Sequence, residues 1–435
     1  MSVNWTVIVI AIFLIYYAAV ERLKAKGTLE KRGISTFGPI LMIRTSRGLE
    51  ILEKISKAKT FWRWFANLGV PVVFAGMIFM FVLIILTDII LFTTPPEPSE
   101  LTEPRNVLLL PGVNKFIPLV WGIIGLIVTL VVHEFSHAIL SRVEGVRVKS
   151  LGVLYALIPI GGFAEPDEEE LTSEKTTRMQ RIRIFSAGVI SNFVVALIAF
   201  LLFMHLLGSL SSGGVYVTGI YKDFPAQEAG ITPGIAIFRI NETDTPDLKT
   251  FQDRMAKTKP GELIKVYAYD ENGNVNEFTL NLTKNPYGDS GFMGVEVLDM
   301  LVIMKEIPVH LNSVTGWLMI ISMPFTFFGG FSGVFMHLFE PTGIWADTGN
   351  VLFYLLNTLY WIGWINFYVG LFNCLPAIPL DGGRVFYESF SAILTKRYGK
   401  RGEEISVMIV KFMAFLIFAS ILLSILIPNI SRFTV

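Results

Sequence analysis

The chain has 435 residues, 52% of them hydrophobic and 17% charged, with 36 Lys and Arg against 36 Asp and Glu. A mean hydropathy of +0.57 sets it apart from ordinary soluble domains, and the zero net charge gives no reason to expect a nucleic-acid partner. The single cysteine, Cys374, cannot close an internal disulfide.

Long apolar runs follow one another: Val7 to Val20, Leu68 to Phe92, Ile117 to Leu140 with a polar cluster inside it, Ile184 to Leu207, Val314 to Leu338, Val351 to Leu380 and Val407 to Pro428. Most reach the roughly 20 residues that a helix needs to cross the hydrocarbon core. The first run has no basic residue before it and many after it, the reverse of a secretory signal peptide, and reads as a retained anchor. Between Glu21 and Trp64 stand eleven Lys or Arg against four Glu, which places that loop in the cytoplasm. Leu68 to Phe92 then runs outward and Ile117 to Leu140 runs inward toward Arg142, Arg147 and Lys149. Ile184 to Leu207 exits again, so Gly213 to Met300, with thirteen acidic and eight basic residues, lies outside. Arg384, Lys396, Arg397, Lys400 and Arg401 put the segment after Leu380 back in the cytoplasm. Parity then requires Val314 to Leu338, with Pro324 and the Gly329-Gly330 pair, to lie in the interface or re-enter. Four N-x-S/T sequons, at Asn4, Asn241, Asn281 and Asn429, fall on the assigned outside.

His133-Glu134-Phe135-Ser136-His137 sits near the cytoplasmic end of the third run. Residues four apart on a helix are rotated by only about 40°, so both imidazoles can reach one ion, while Glu134, about 100° round, stands beside it. That is the place of a general base next to a zinc ion, which lowers the pKa of a water and polarises a scissile carbonyl. Three ionisable groups in an apolar span are rarely tolerated without a functional reason. A catalytic zinc needs a third protein ligand. His205, His310, His337 and Asp88 are expected at or near the outer face, whereas Asp381 closes the Val351 to Leu380 run at the depth of the two histidines. In Asn373-Cys374-Leu375-Pro376-Ala377-Ile378-Pro379-Leu380-Asp381-Gly382-Gly383 the prolines break the helix and the glycines relax it. Asp381 could turn to the metal there, or cap a helix end.

The pairing of H-E-x-x-H in one span with L-D-G in a later one resembles the site-2 protease family of intramembrane zinc metalloproteases. Gly188-x-x-x-Asn192 and Asn373-x-x-Pro376 also match that family's motifs, and the similarity runs from Ile117 to Arg384, about 60% of the chain. The resemblance implies one zinc per chain on His133, His137 and Asp381, with Glu134 as base and Asn192 and Asn373 assisting the water or the substrate. It implies single-span membrane substrates, already trimmed by another protease. It also implies a membrane-dipping β-hairpin at Val148 to Phe163, where an edge strand would pair with the unwound substrate; read from its residues alone, the stretch is equally an amphipathic loop.

Between Gly214 and Thr283 the chain turns soluble in character. Phe224-Pro225-Ala226-x-x-Ala229-Gly230-Ile231-x-x-Gly234 resembles the PDZ signature of membrane and periplasmic proteases, and Gly291, Phe292, Met293 and Gly294 resemble its carboxylate-binding loop. The expectation is therefore a polytopic α-helical membrane protein with an inserted extracytoplasmic PDZ-like (α+β) domain. Its parts are an anchor region (1–112), a first catalytic half (113–212), the PDZ-like insert (213–300), an interfacial or re-entrant segment (301–350) and a second catalytic half (351–435). Two rivals are a catalytically silent scaffold that binds peptides through the insert and an ion or proton transporter. Intact Glu134 and Asp381 argue against the first, and the peptide-binding module argues against the second.

Overall fold

The computed structural model describes residues 5–45, 48–96, 98–99, 102–107, 110–306, 309, 313, 315, 322–324, 330–331 and 333–433. Asn4, His310 and most of the Val314 to Leu338 run lie outside the described residues, so the expected re-entry has no structural counterpart to report. The chain forms two units, Met1–Ile198 with Trp361–Val435, and Ala199–Tyr360. Among the described residues four helices are long and apolar enough to cross a membrane: Lys59–Thr93, Leu119–Val143, Arg178–Leu207 and Lys400–Asn429.

The first unit begins with helix α1 (Trp5–Ala25), a hairpin of β1 (Ile34–Phe37) and β2 (Ile40–Thr45), the short α2 (Leu49–Ser56) and the long α3 (Lys59–Thr93). Helix α4 (Leu119–Val143) follows, then β3 (Val148–Ala156), β4 (Ile158–Pro166) and α5 (Arg178–Leu207). The Val148 to Phe163 stretch is thus a hairpin and not a loop. It belongs to a four-stranded antiparallel sheet in the order β1-β2-β3-β4, with Met42 opposite Leu154 and Leu151 opposite Ala164. Residues 34–45, which the sequence groups with the anchor region, supply half of this sheet. Gly152 makes room for it: a Cβ there would stand 2.2 Å from the Phe163 ring. Arg44 lies over that ring, with its guanidinium carbon 5.7 Å from the centroid, and its Nε donates to Glu165 at 3.0 Å.

The second unit holds β5 (Val215–Ile220), β6 (Ala236–Ile240), α6 (Leu248–Ala256), β7 (Leu263–Tyr269), β8 (Val275–Asn281) and β9 (Val295–Leu298). They form one sheet in the order β8-β7-β6-β5-β9, with Thr243–Asp244 added to β6. Ile264, Val266 and Ala268 are buried at period two, as a strand with one face on a core requires. They pack with Val215, Val217, Ile237, Ile240, Phe251 and Leu280. Asp247 caps α6 by accepting from Thr250 N.

Helix α7 (Val351–Asn373) ends where the proline-containing stretch begins, α8 (Asp381–Tyr398) starts at Asp381, and α9 (Lys400–Phe433) closes the chain. Small residues let these helices approach the rest of the first unit. A Cβ on Gly125 would lie 2.9 Å from the Trp361 carbonyl oxygen, and one on Gly76 would lie 2.5 Å from Cys374 Sγ. The sequon at Asn429 is buried within α9, where its amide donates to the Thr102 and Ile425 carbonyls, so it is not a displayed loop.

Candidate metal centre

His133 and His137 are one turn apart on α4, and Asp381 opens α8. Their chelating atoms converge. The His133 Nε2 to Asp381 Oδ2 distance is 3.0 Å, His137 Nε2 to the same oxygen is 3.1 Å, and the two Nε2 atoms are 3.1 Å apart. The motifs around them act by removing bulk. A Cβ at Gly188 of α5 would stand 2.6 Å from His137 Nε2 and 2.7 Å from His133 Cε1, so this helix can lie against both rings only with glycine there. Gly382 and Gly383 do the same for Asp381: a Cβ on either would fall within 2.4 Å of the Cys374 or Ala377 backbone, against which the first turn of α8 rests.

The far sides of the imidazoles are fixed as well. His137 Nδ1 donates to the Ile184 carbonyl at 2.7 Å, which leaves the lone pair on Nε2. The fully buried Asn192, one turn beyond Gly188, sets its amide 3.1 Å from His133 Nδ1. The two ends of an amide are interchangeable by rotation. With the nitrogen toward the ring, Asn192 Oδ1 is a buried oxygen without a partner; with the oxygen toward the ring, it accepts the Nδ1 proton. In that arrangement the Nε2 atoms of both imidazoles and a carboxylate oxygen are turned to one point, a donor set that suits a cation. The spacing suits one: a tetrahedral zinc with bonds of about 2.0–2.1 Å has ligand atoms roughly 3.3 Å apart.

Glu134 stands beside this point. Its Oε2 accepts from the Ala164 N–H of β4 at 2.9 Å. A cavity of about 700 Å³ is lined by His133, Glu134, His137, Ala164, Asn373 and Asp381, together with Lys149, Glu168 and Arg384. A second, apolar cavity of about 350 Å³ is also lined by Glu134, with Leu130, Val131, Gly161, Gly162 and Phe163. Asn373, the last residue of α7, lines the first cavity, and Asn192 lies against the far side of His133.

The other expected residues lie elsewhere. His337 stacks on Tyr269 with ring centroids 4.4 Å apart, Asp88 accepts from Ser420 at 2.7 Å, and His205 is exposed. Gly291–Phe292 forms a two-residue strand against Thr283–Lys284, Met293 is buried with its carbonyl accepting from Ala226, and Gly294 turns at a φ of +85° with its carbonyl accepting from Tyr221.

The profile of peptidase family M50 matches residues 121–417, a stretch that holds every residue of this centre. The chain belongs to peptidase family M50. An uncharacterized protein of Methanocaldococcus jannaschii is 27% identical over 90% of this chain and 86% of its own length. A protein of Clostridium perfringens named as a candidate zinc metalloprotease is 26% identical over 64% of this chain and 89% of its own. Protease RseP of Yersinia pestis is 28% identical over 30% of this chain and 35% of its own. Among solved structures, the PDZ domain of an SdrC-like protein from Listeria monocytogenes covers 20% of this chain and 92% of its own, with 23% identity and a TM-score of 0.19. This M50 peptidase is a multi-pass membrane zinc metalloprotease. Sequence reasoning missed the Ile184 carbonyl and the Ala164 N–H, because backbone groups have no signature in a sequence.

Proposed function

We propose that this M50 peptidase holds one zinc ion on His133, His137 and Asp381 and hydrolyses peptide bonds within or near the transmembrane segments of single-span proteins. The observation that carries the reading is the convergence of three potential ligand atoms at about 3 Å, with the Glu134 carboxylate beside them. Zinc in that place lowers the pKa of a water and polarises the scissile carbonyl. The chain supplies the rest. Glu134 takes the proton from the attacking water and returns it to the leaving amide nitrogen. Asn192 and the Ile184 carbonyl fix the two rings, and Asn373 holds the substrate from the cavity wall. β4, at the edge of its sheet, pairs with the extended substrate, whose unwound backbone would otherwise leave N–H and C=O groups unpaired in lipid at several kcal/mol each.

The basic loops place the centre toward the cytoplasm and the PDZ-like domain outside. There the insert admits substrates that another protease has trimmed, either by holding a new carboxylate terminus at Gly291 to Gly294 or by excluding bulky ectodomains. The test is Glu134→Gln against His133→Ala. The first keeps about one zinc per chain and loses proteolysis of a transmembrane substrate, since an amide cannot accept the proton; the second loses zinc. Wild-type protein that holds no zinc after mild detergent extraction, or Glu134→Gln protein that still cleaves, overturns the reading.

A further inference from the structure

Glu134 holds a backbone group that the substrate also needs. β4 ends the four-stranded sheet, with β3 on one side only. Ala164 lies opposite Leu151 in that pairing, yet its N–H points away from β3 to the Glu134 carboxylate, 2.9 Å distant. In an antiparallel ladder a residue that turns its N–H outward turns its C=O outward too, so Ala164 is where the edge offers both groups to an added strand. The two cavities both border β4. Ala164, Glu165 and Pro166 line the one with His133, His137 and Asp381; Gly161, Gly162 and Phe163 line the apolar one; Glu134 lines both. A peptide extended along β4 therefore runs from the apolar cavity into the catalytic one and passes the point where Glu134 sits.

One N–H cannot serve the carboxylate and a substrate carbonyl together. We propose that the two exchange: in the free protein Glu134 Oε2 rests on the Ala164 N–H, and an extended substrate takes that N–H and returns the carboxylate to the catalytic cavity. The inference rests on the proteolytic reading and adds to it a coupling between strand docking and release of the base. Compounds too short to pair with Ala164 reach the centre while the base is still held. Only a segment already unwound and laid on the sheet releases it.

Ala164→Pro deletes this N–H, and an edge strand tolerates proline where the N–H is not part of the ladder. Two substrates are compared: a long extended peptide and a blocked dipeptide amide. Freeing Glu134 favours both substrates, and only the long peptide also loses its bond to Ala164; since one hydrogen bond changes binding by roughly tenfold, the ratio of kcat/KM for the long peptide to that for the dipeptide falls by about that factor. The dipeptide's own kcat/KM rises, and Ala164→Gly, which keeps the N–H, retains the wild-type ratio between the two substrates. A merely structural defect lowers both. If Ala164→Pro loses its zinc, replacement of the Ala164 amide by a backbone ester makes the same comparison. Hydrogen exchange is the readout that does not depend on turnover: Glu134→Ala exposes the Ala164 amide and speeds its exchange about tenfold or more, and a non-hydrolysable extended peptide restores protection. The exchange mechanism is overturned if Ala164→Pro changes both substrates by the same factor, or if the amide exchanges alike with and without Glu134. Wild-type protein with no Glu134-dependent cleavage of the long peptide overturns the proteolytic reading itself.

Discussion

Gly188→Ala separates two effects of opposite sign. In a helix interior alanine is favoured over glycine by roughly 1 kcal/mol, so without a neighbour the change would stabilise the protein. At this position the added methyl would stand 2.6 Å from His137 Nε2 and 2.7 Å from His133 Cε1. Ordinary contacts begin near 3.4 Å, so the rings or α5 must give by about 0.8 Å, whereas a metal site keeps its distances to within about 0.2 Å. His137 cannot retreat easily, because its other nitrogen is fixed to the Ile184 carbonyl on the same helix as Gly188. We expect zinc affinity to fall by about 100-fold or more, beyond the 10- to 100-fold typical of changes behind the ligands. Proteolysis should fall with it at limiting zinc, and the rise in melting temperature that zinc confers on wild type should shrink in the variant. The assay is competition for zinc with a chromophoric chelator, alongside thermal unfolding in detergent with and without metal. Unchanged affinity in Gly188→Ala would show that α5 does not lie against the two imidazoles and would refute this account of the G-x-x-x-N motif.

Two further expectations concern the sheet and the topology. Hydrogen bonding from Ser150, opposed by partial burial and aided by the Arg44 guanidinium, holds the Glu165 carboxyl below its ordinary value. A carboxylate with a depressed folded pKa stabilises the fold above its unfolded value near 4.5 and loses that contribution as pH falls through the lower folded value. Thermal unfolding should therefore show less destabilisation between neutral pH and pH 4 in Arg44→Met than in wild type; identical pH profiles would show that the Arg44 to Glu165 contact is without consequence. For sidedness, Cys374 is fully buried and stays silent, so single cysteines at the exposed positions Lys57, Asp289 and Lys400 report through a membrane-impermeant reagent. Lys57→Cys and Lys400→Cys should label from one face and Asp289→Cys from the other; labelling of Lys400→Cys and Asp289→Cys from the same face would overturn the parity argument.

The sequence by itself determined the membrane class, the turn of helix that joins His133 to His137, the break before Asp381 and the family, because each is written in local spacing: 20-residue apolar runs, an i,i+4 pair, prolines and glycines at a helix boundary. Its positive-inside reading assigned loops to sides from charge alone. The hairpin at Val148 to Phe163 was undecided between strand and loop, since a short apolar run has no period of its own. Only the tertiary structure decided that residues 34–45, remote in sequence, pair with β3, that the Asn192 amide meets His133 Nδ1, and that Glu134 rests on the N–H of Ala164. These contacts join backbone groups or residues far apart in the chain. Composition and periodicity record which face of an element is buried, but not which partner buries it, so such pairings exist only once the chain has folded.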